Sequence, residues 1–256
     1  MEMSSILTVN KKVSTKFLAV VFGYMFLGLL ITAATALGFA GFVVLNPALS
    51  DSSYSLTDLG YTVVLGVGIA SMIAAWIDSF VISIVSARTG KAPWIGFILY
   101  AVFLGFGLSL IFLAGVDFLT VGEAFGLTAL CFGIMFLIGY FSPVDLSPFA
   151  FVAFALLIGL GLVSLFFFVY YLVLLGSGAW ATMDQSLFLF DYIVSIVMIV
   201  IVMLITGYDA NRMGRMVEKG VTNRNIALFC AFSLYCDFIT LFINILYVLL
   251  IAKNRR

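Results

Sequence analysis

Two aspartates, Asp209 and Asp237, have the types and the spacing to do chemistry. Asp237 stands near the middle of a 27-residue apolar run, Ile226–Ala252. A lone carboxylate in hydrocarbon costs roughly 2.5–3.5 kcal/mol on insertion scales, so it needs a partner and typically marks an ion or proton path. Asp209 closes the preceding apolar run, and the breaker-rich stretch Gly220-Val221-Thr222-Asn223-Arg224-Asn225 lies midway between the two acids. A hairpin there sets both aspartates about 20 Å from the turn, at 1.5 Å per residue, facing each other at equal depth. Two carboxylates in contact at low dielectric cannot both ionise cheaply; they share a proton and respond to pH. Deprotonated, they attract hard cations that prefer oxygen ligands, of which Ca²⁺ is the obvious case.

The last apolar run carries a polar stripe as well. Ser233, Asp237, Thr240 and Asn244 fall at i, i+4, i+7 and i+11, one face of an α-helix. Such a face lines a cavity or forms a hydrogen-bond seam between helices. Asp78 is a third acid within an apolar run, and Arg88 follows ten residues later at the mouth of that run. Arg88 is either a basic latch for the acidic pair or an ordinary interfacial anchor. With no histidine in the chain, imidazole metal sites and Ser–His dyads are excluded. An intramembrane aspartyl protease also uses two membrane aspartates, but its Gly-x-Gly-Asp motif is absent, since Leu234-Tyr235-Cys236 precedes Asp237. We therefore expect no enzyme.

The elements that position these residues are membrane spans. The chain is 64% hydrophobic and 9% charged, too little polar surface for a soluble domain, and its zero net charge disfavours a nucleic-acid partner. Cys131, Cys230 and Cys236 all lie in apolar runs and are expected to be small buried hydrophobes. The first run is too long for a cleaved leader and is expected to be retained. Apolar runs between breaks predict seven transmembrane helices in a single all-α membrane domain, at about 17–46, 60–87, 95–115, 119–140, 150–176, 187–208 and 226–252. Lys11, Lys12, Lys16, Arg88, Lys91, Arg212, Arg215, Lys219 and Arg224 then share one face, which makes that face and the N-terminus cytoplasmic. Seven crossings leave the C-terminus outside, where the tail Lys253-Asn254-Arg255-Arg256 disagrees with the charge rule; a re-entrant or tilted last helix would remove the conflict. Gly122 and Gly126 form a small-xxx-small pair and predict close helix packing.

The run Leu234-Tyr235-Cys236-Asp237-Phe238-Ile239-Thr240-Leu241-Phe242 resembles the signature of the Bax inhibitor-1 (transmembrane Bax inhibitor motif) family, and Gly207-Tyr208-Asp209 is similar to the family motif closing span 6. Gly23-Tyr24 with Gly28-Leu29-Leu30-Ile31-Thr32-Ala33 resembles its first span, and Val144-Asp145-Leu146-Ser147 its turn before span 5. Thr240 and Ala210-Asn211 depart from the family pattern. The resemblance implies six helices wrapped around the C-terminal one, and a passive, pH-sensitive calcium leak gated by an aspartate pair. Asp209 and Asp237 match those aspartates, and Arg88 is similar in place to the arginine that latches onto them. The implied path for Ca²⁺, as permeant ion and not as cofactor, runs past Asp78, Ser233, Thr240 and Asn244. The implied setting is a bacterial inner membrane. The alternative is a non-conducting regulator that binds another membrane protein, such as a protease or a cell-death factor.

Overall fold

The computed structural model describes residues 2–51, 55–90, 92–177 and 185–254; Lys91, Asp184, Arg255, Arg256 and the side chains of Lys11 and Lys12 lie outside the described residues. The chain is an all-α membrane protein. Its helices are α1 (Glu2–Leu45), α2 (Asp58–Thr89), α3 (Trp94–Leu113), α4 (Phe118–Phe141), α5 (Ser147–Ser177), α6 (Gln185–Glu218) and α7 (Arg224–Asn254). Six have an apolar stretch long enough to cross a membrane; in α5 the described apolar stretch is the shorter Ser147–Val163. Large apolar side chains such as Phe26, Trp76 and Phe80 are exposed, as lipid-facing groups should be.

Several helices outrun the apolar stretches that predict them. α6 passes its expected end at 208 and continues ten residues to Glu218, because the good helix formers Arg212, Met213, Arg215, Met216 and Glu218 outweigh the single Gly214 and no proline intervenes. It stops at Gly220, whose φ of 70° is a left-handed conformation suited to glycine. Asn223 then caps α7, its Oδ1 accepting the Ile226 N–H at 2.8 Å. At the other turns, Gly90 (φ 64°) caps α2, and Pro148 sits in the first turn of α5, where a missing N–H costs nothing. α7 is one continuous helix of 31 residues, long and apolar enough to cross a membrane.

The chain groups into two compact units, Met1–Phe118 with Val217–Tyr235, and Leu119–Met216 with Cys236–Arg256. In the first, α3 packs on both α1 and α2. Glycines set those approaches: a Cβ at Gly105 would meet Thr35 Cβ at 2.6 Å, and one at Gly68 would meet Leu110 at 2.8 Å. Tyr235, fully buried, packs edge-on against Phe97 and Tyr100, and its hydroxyl meets Thr32 Oγ1 at 2.5 Å. Thr32 Oγ1 also lies 3.0 and 3.1 Å from the carbonyls of Gly28 and Ala101, so one hydrogen-bond cluster joins α1, α3 and α7. Lipid supplies no hydrophobic drive between helices, so such packing and hydrogen bonds carry the association.

In the second unit the closest approach is Gly139 of α4 against Gly207 of α6, where a Cβ on Gly139 would overlap the Gly207 carbonyl. Among the described residues Gly122 and Gly126 meet nothing within 4 Å, which corrects the expected packing pair. Both lie on the exposed side of α4, while the buried side carries Ala124, Thr128, Phe132, Phe136 and Gly139. At one end of α4, Lys253 Nζ lies 2.7 Å from Glu123 and donates to Thr120 Oγ1 at 2.9 Å. The last turn of α7 therefore lies beside the start of α4. One of the basic tail residues that disagreed with the charge rule is thus held by an acid.

Candidate functional site

The site is built in the second unit, where α6 supplies Thr206 and Asp209, one turn apart, and α7 supplies Asp237. Asp209 is half-buried and its charge bears on the Asp237 carboxyl. Asp237 Oδ2 is buried and has no hydrogen-bond partner among the described residues. Thr206 is fully buried, hydrogen-bonds the Asp237 side chain, and places its Oγ1 2.9 Å from the Val202 carbonyl. A hydroxyl has one proton to give. With Asp237 ionised, Thr206 donates to the carboxylate. With Asp237 protonated, the acid donates to Thr206, and Thr206 donates to Val202. Phe125 and Phe132 of α4 pack edge-on against Phe238, next to the acid. Such pairs contribute about 0.5–1.5 kcal/mol each beyond burial.

Two residues below Asp209, Asn211 is buried and fixes the end of α6 against the end of α4. Its Nδ2 donates to the carbonyls of Gly139 at 3.1 Å and Ser142 at 3.0 Å. Both carbonyls lie at the end of α4, where intrahelical partners run out; Gly139 keeps only a 3.3 Å bond from the Ser142 N–H. One turn on, Arg215 lies 3.1 Å from Asp145 in the α4–α5 turn. Asp145 also accepts the Ser147 N–H at 3.0 Å and hydroxyl at 2.8 Å. The Ser147 bonds, with Arg215 adding to them, hold the Asp145 carboxyl below its ordinary value.

The other sequence-predicted residues divide between the units. Thr240 and Asn244, half-buried on α7, return their donors to their own helix, Thr240 Oγ1 to the Cys236 carbonyl and Asn244 Nδ2 to the Thr240 carbonyl, both at 2.8 Å. Asp78, Arg88 and Ser233 belong to the first unit. Asp78 Oδ2 is buried without a hydrogen-bond partner among the described residues, and its Oδ1 faces the side of Gly96 that a Cβ would occupy, 3.5 Å away. Arg88 is exposed in the last turn of α2, and Ser233 is half-buried. Among the described residues no three His, Cys, Asp or Glu side chains gather. Two carboxylates offer four oxygens against the six to eight that Ca²⁺ takes, so the pair suits a passing cation better than a resident one.

Long apolar helices and an acidic pair contributed by the last two define a polytopic α-helical membrane protein. A family model described as "Inhibitor of apoptosis-promoting Bax1" matches residues 14–255, and the chain belongs to that Bax inhibitor-1 family. It is similar to the inner membrane protein YbhL of Escherichia coli, 31% identical over 245 residues, 94% of this chain and 92% of that protein. An uncharacterized protein of Borreliella burgdorferi is 28% identical over 254 residues, 95% of this chain and 94% of its own.

Sequence reasoning passed over Thr206, Asn211 and the Asp145–Arg215 pair. The signal for Thr206 was a hydroxyl three residues before Asp209 in an otherwise apolar turn. Asn211 stood at a departure from the family pattern. Arg215, one of the basic residues that mark the cytoplasmic face, is half-buried and paired.

Proposed function

We propose that this protein is a pH-sensitive Ca²⁺ leak channel of a bacterial inner membrane, with Asp209 and Asp237 as its titrating gate. The observation that carries the reading is the placement of Asp237: one carboxyl oxygen is buried without a hydrogen-bond partner, and the Asp209 charge bears on the group. Losing a proton adds one negative charge to a site that cannot dilute it into water, so the two helices repel and a cation is drawn in. Thr240 and Asn244, on α7 beyond Asp237, contribute oxygens along the path, and clustered acids without lysine or arginine rings select cations over anions. The N-terminus is cytoplasmic and the C-terminus outside, as the basic residues dictate. The inner-membrane setting is supported by the name of the YbhL relative.

Ca²⁺ flux into proteoliposomes, measured across neutral pH, tests the reading. The wild type should conduct with a pH-dependent rate, and Asp209→Asn and Asp237→Asn should each flatten that dependence. The direction of the wild-type response reports whether the deprotonated or the protonated pair opens the path. Equal, pH-independent flux in all three proteins would end the proposal.

A further inference from the structure

In the first unit, the start of α1's apolar stretch and the start of α7 line an open groove of about 390 Å³. Its polar lining includes two cations, Lys16 and Arg224, together with Tyr24 and Asn223. Arg224 Nε donates to the Tyr24 hydroxyl at 2.8 Å, which fixes the guanidinium at the groove wall. Neither cation has an ion-pair partner among the described residues, whereas Arg215 and Lys253 both do. The apolar wall includes Phe17 and Val20.

The position of the groove narrows the ligand. The apolar runs of α1 and α7 begin at Phe17 and Ile226, so Lys16 and Arg224 both stand just before the apolar stretch, at the level where water meets hydrocarbon. The N-terminus of α7 adds the positive end of a 31-residue helix dipole to the same place. The volume falls within the roughly 300–1,000 Å³ of small-molecule sites and exceeds what a bare phosphate ion fills. Cationic head and apolar flank together match an amphiphile with an anionic head, and basic pockets between transmembrane helices are a recurrent mode of lipid headgroup binding.

We propose that Lys16, Tyr24 and Arg224 form a binding site for the phosphate headgroup of an anionic bilayer phospholipid, with an acyl chain lying along Phe17 and Val20. The site is separate from the acidic pair and stands or falls without the channel reading.

The test uses the full chain in detergent micelles, with lipid binding followed by native mass spectrometry and by the rise in Tm. The probes are dioleoylphosphatidylglycerol, dioleoylphosphatidylcholine and inorganic phosphate. Phosphatidylglycerol should bind and stabilise, while phosphatidylcholine and phosphate should do neither. Lys16→Gln, a change at an exposed residue, should weaken phosphatidylglycerol binding about fivefold, and Lys16→Gln with Arg224→Gln about thirtyfold. Lys219→Gln removes the same charge from an exposed residue off the groove wall and should leave binding unchanged. Equal response to phosphatidylcholine, stabilisation by phosphate alone, or an equal loss in Lys219→Gln and Lys16→Gln would overturn the proposal.

Discussion

Replacing Asn211 by alanine should be the most damaging polar-to-apolar change in the second unit. The side chain is 3% exposed and its single amide serves two carbonyls at the end of α4. The Gly139 bond is buried, so losing its donor costs about 1–3 kcal/mol; the Ser142 bond is only partly buried, water can replace it, and the loss there is about 0.5–1.5 kcal/mol. Together the variant should lose about 1.5–4.5 kcal/mol, a factor of roughly 10 to 2,000 in the folding equilibrium. SDS-induced unfolding in mixed micelles, followed by far-UV circular dichroism, measures this directly. Asn211→Asp separates hydrogen bonding from packing. It keeps the shape, removes both donors and turns a carboxylate towards two carbonyl oxygens, so at neutral pH it should be less stable than the alanine variant. A loss below about 0.5 kcal/mol for alanine, or an aspartate variant as stable as wild type, would refute the clamp.

Gly139→Ala should lower thermal stability sharply, because its new Cβ meets Gly207 backbone that cannot rotate away. Gly122→Ala and Gly126→Ala meet open space and should be neutral or stabilising by up to about 1 kcal/mol through helix propensity; a melting series on the three variants decides. Tyr235→Phe removes the hydroxyl contact with Thr32 inside a buried cluster and should cost about 1–2 kcal/mol in the same unfolding assay. Acid sensitivity should trace in part to Asp145. Its folded carboxyl lies below the ordinary 3.8, so its contribution is fully present above that value and is lost as pH falls through the lowered one. Tm measured down an acid series should therefore fall less steeply in Asp145→Asn, and an unchanged slope would discount the contribution.

Seven helices were legible because hydrocarbon thickness imposes a minimum apolar length, and each run in the sequence meets it. Their ends were less legible. Apolarity records where lipid stops, not where hydrogen bonding stops, so α6 ran on through Asn211 and Arg215 to Glu218. The pairing of α6 with α7 around one turn, which sets Asp209 and Asp237 at a similar distance from it, could be read by counting residues, because helix rise is fixed. Thr206 could not be picked out that way. A lone threonine in an apolar helix commonly bonds only its own backbone, as Thr128 does to the Ala124 carbonyl at 2.7 Å. Which glycine meets a neighbour was equally hidden: Gly122, Gly126 and Gly139 look alike in sequence, and the rotation of α4 that buries only the last is set by all its contacts at once.

The Thr206 hydroxyl also makes an optical reporter. Because its one hydrogen points either at Asp237 or at the Val202 oxygen, the Val202 C=O bond lengthens slightly whenever the acid takes up a proton. A ¹³C=O label at Val202 would separate that single amide I band from the rest of the helix spectrum. Its frequency, followed through a titration, would give the occupancy of a proton in the bilayer interior without altering either carboxylic acid.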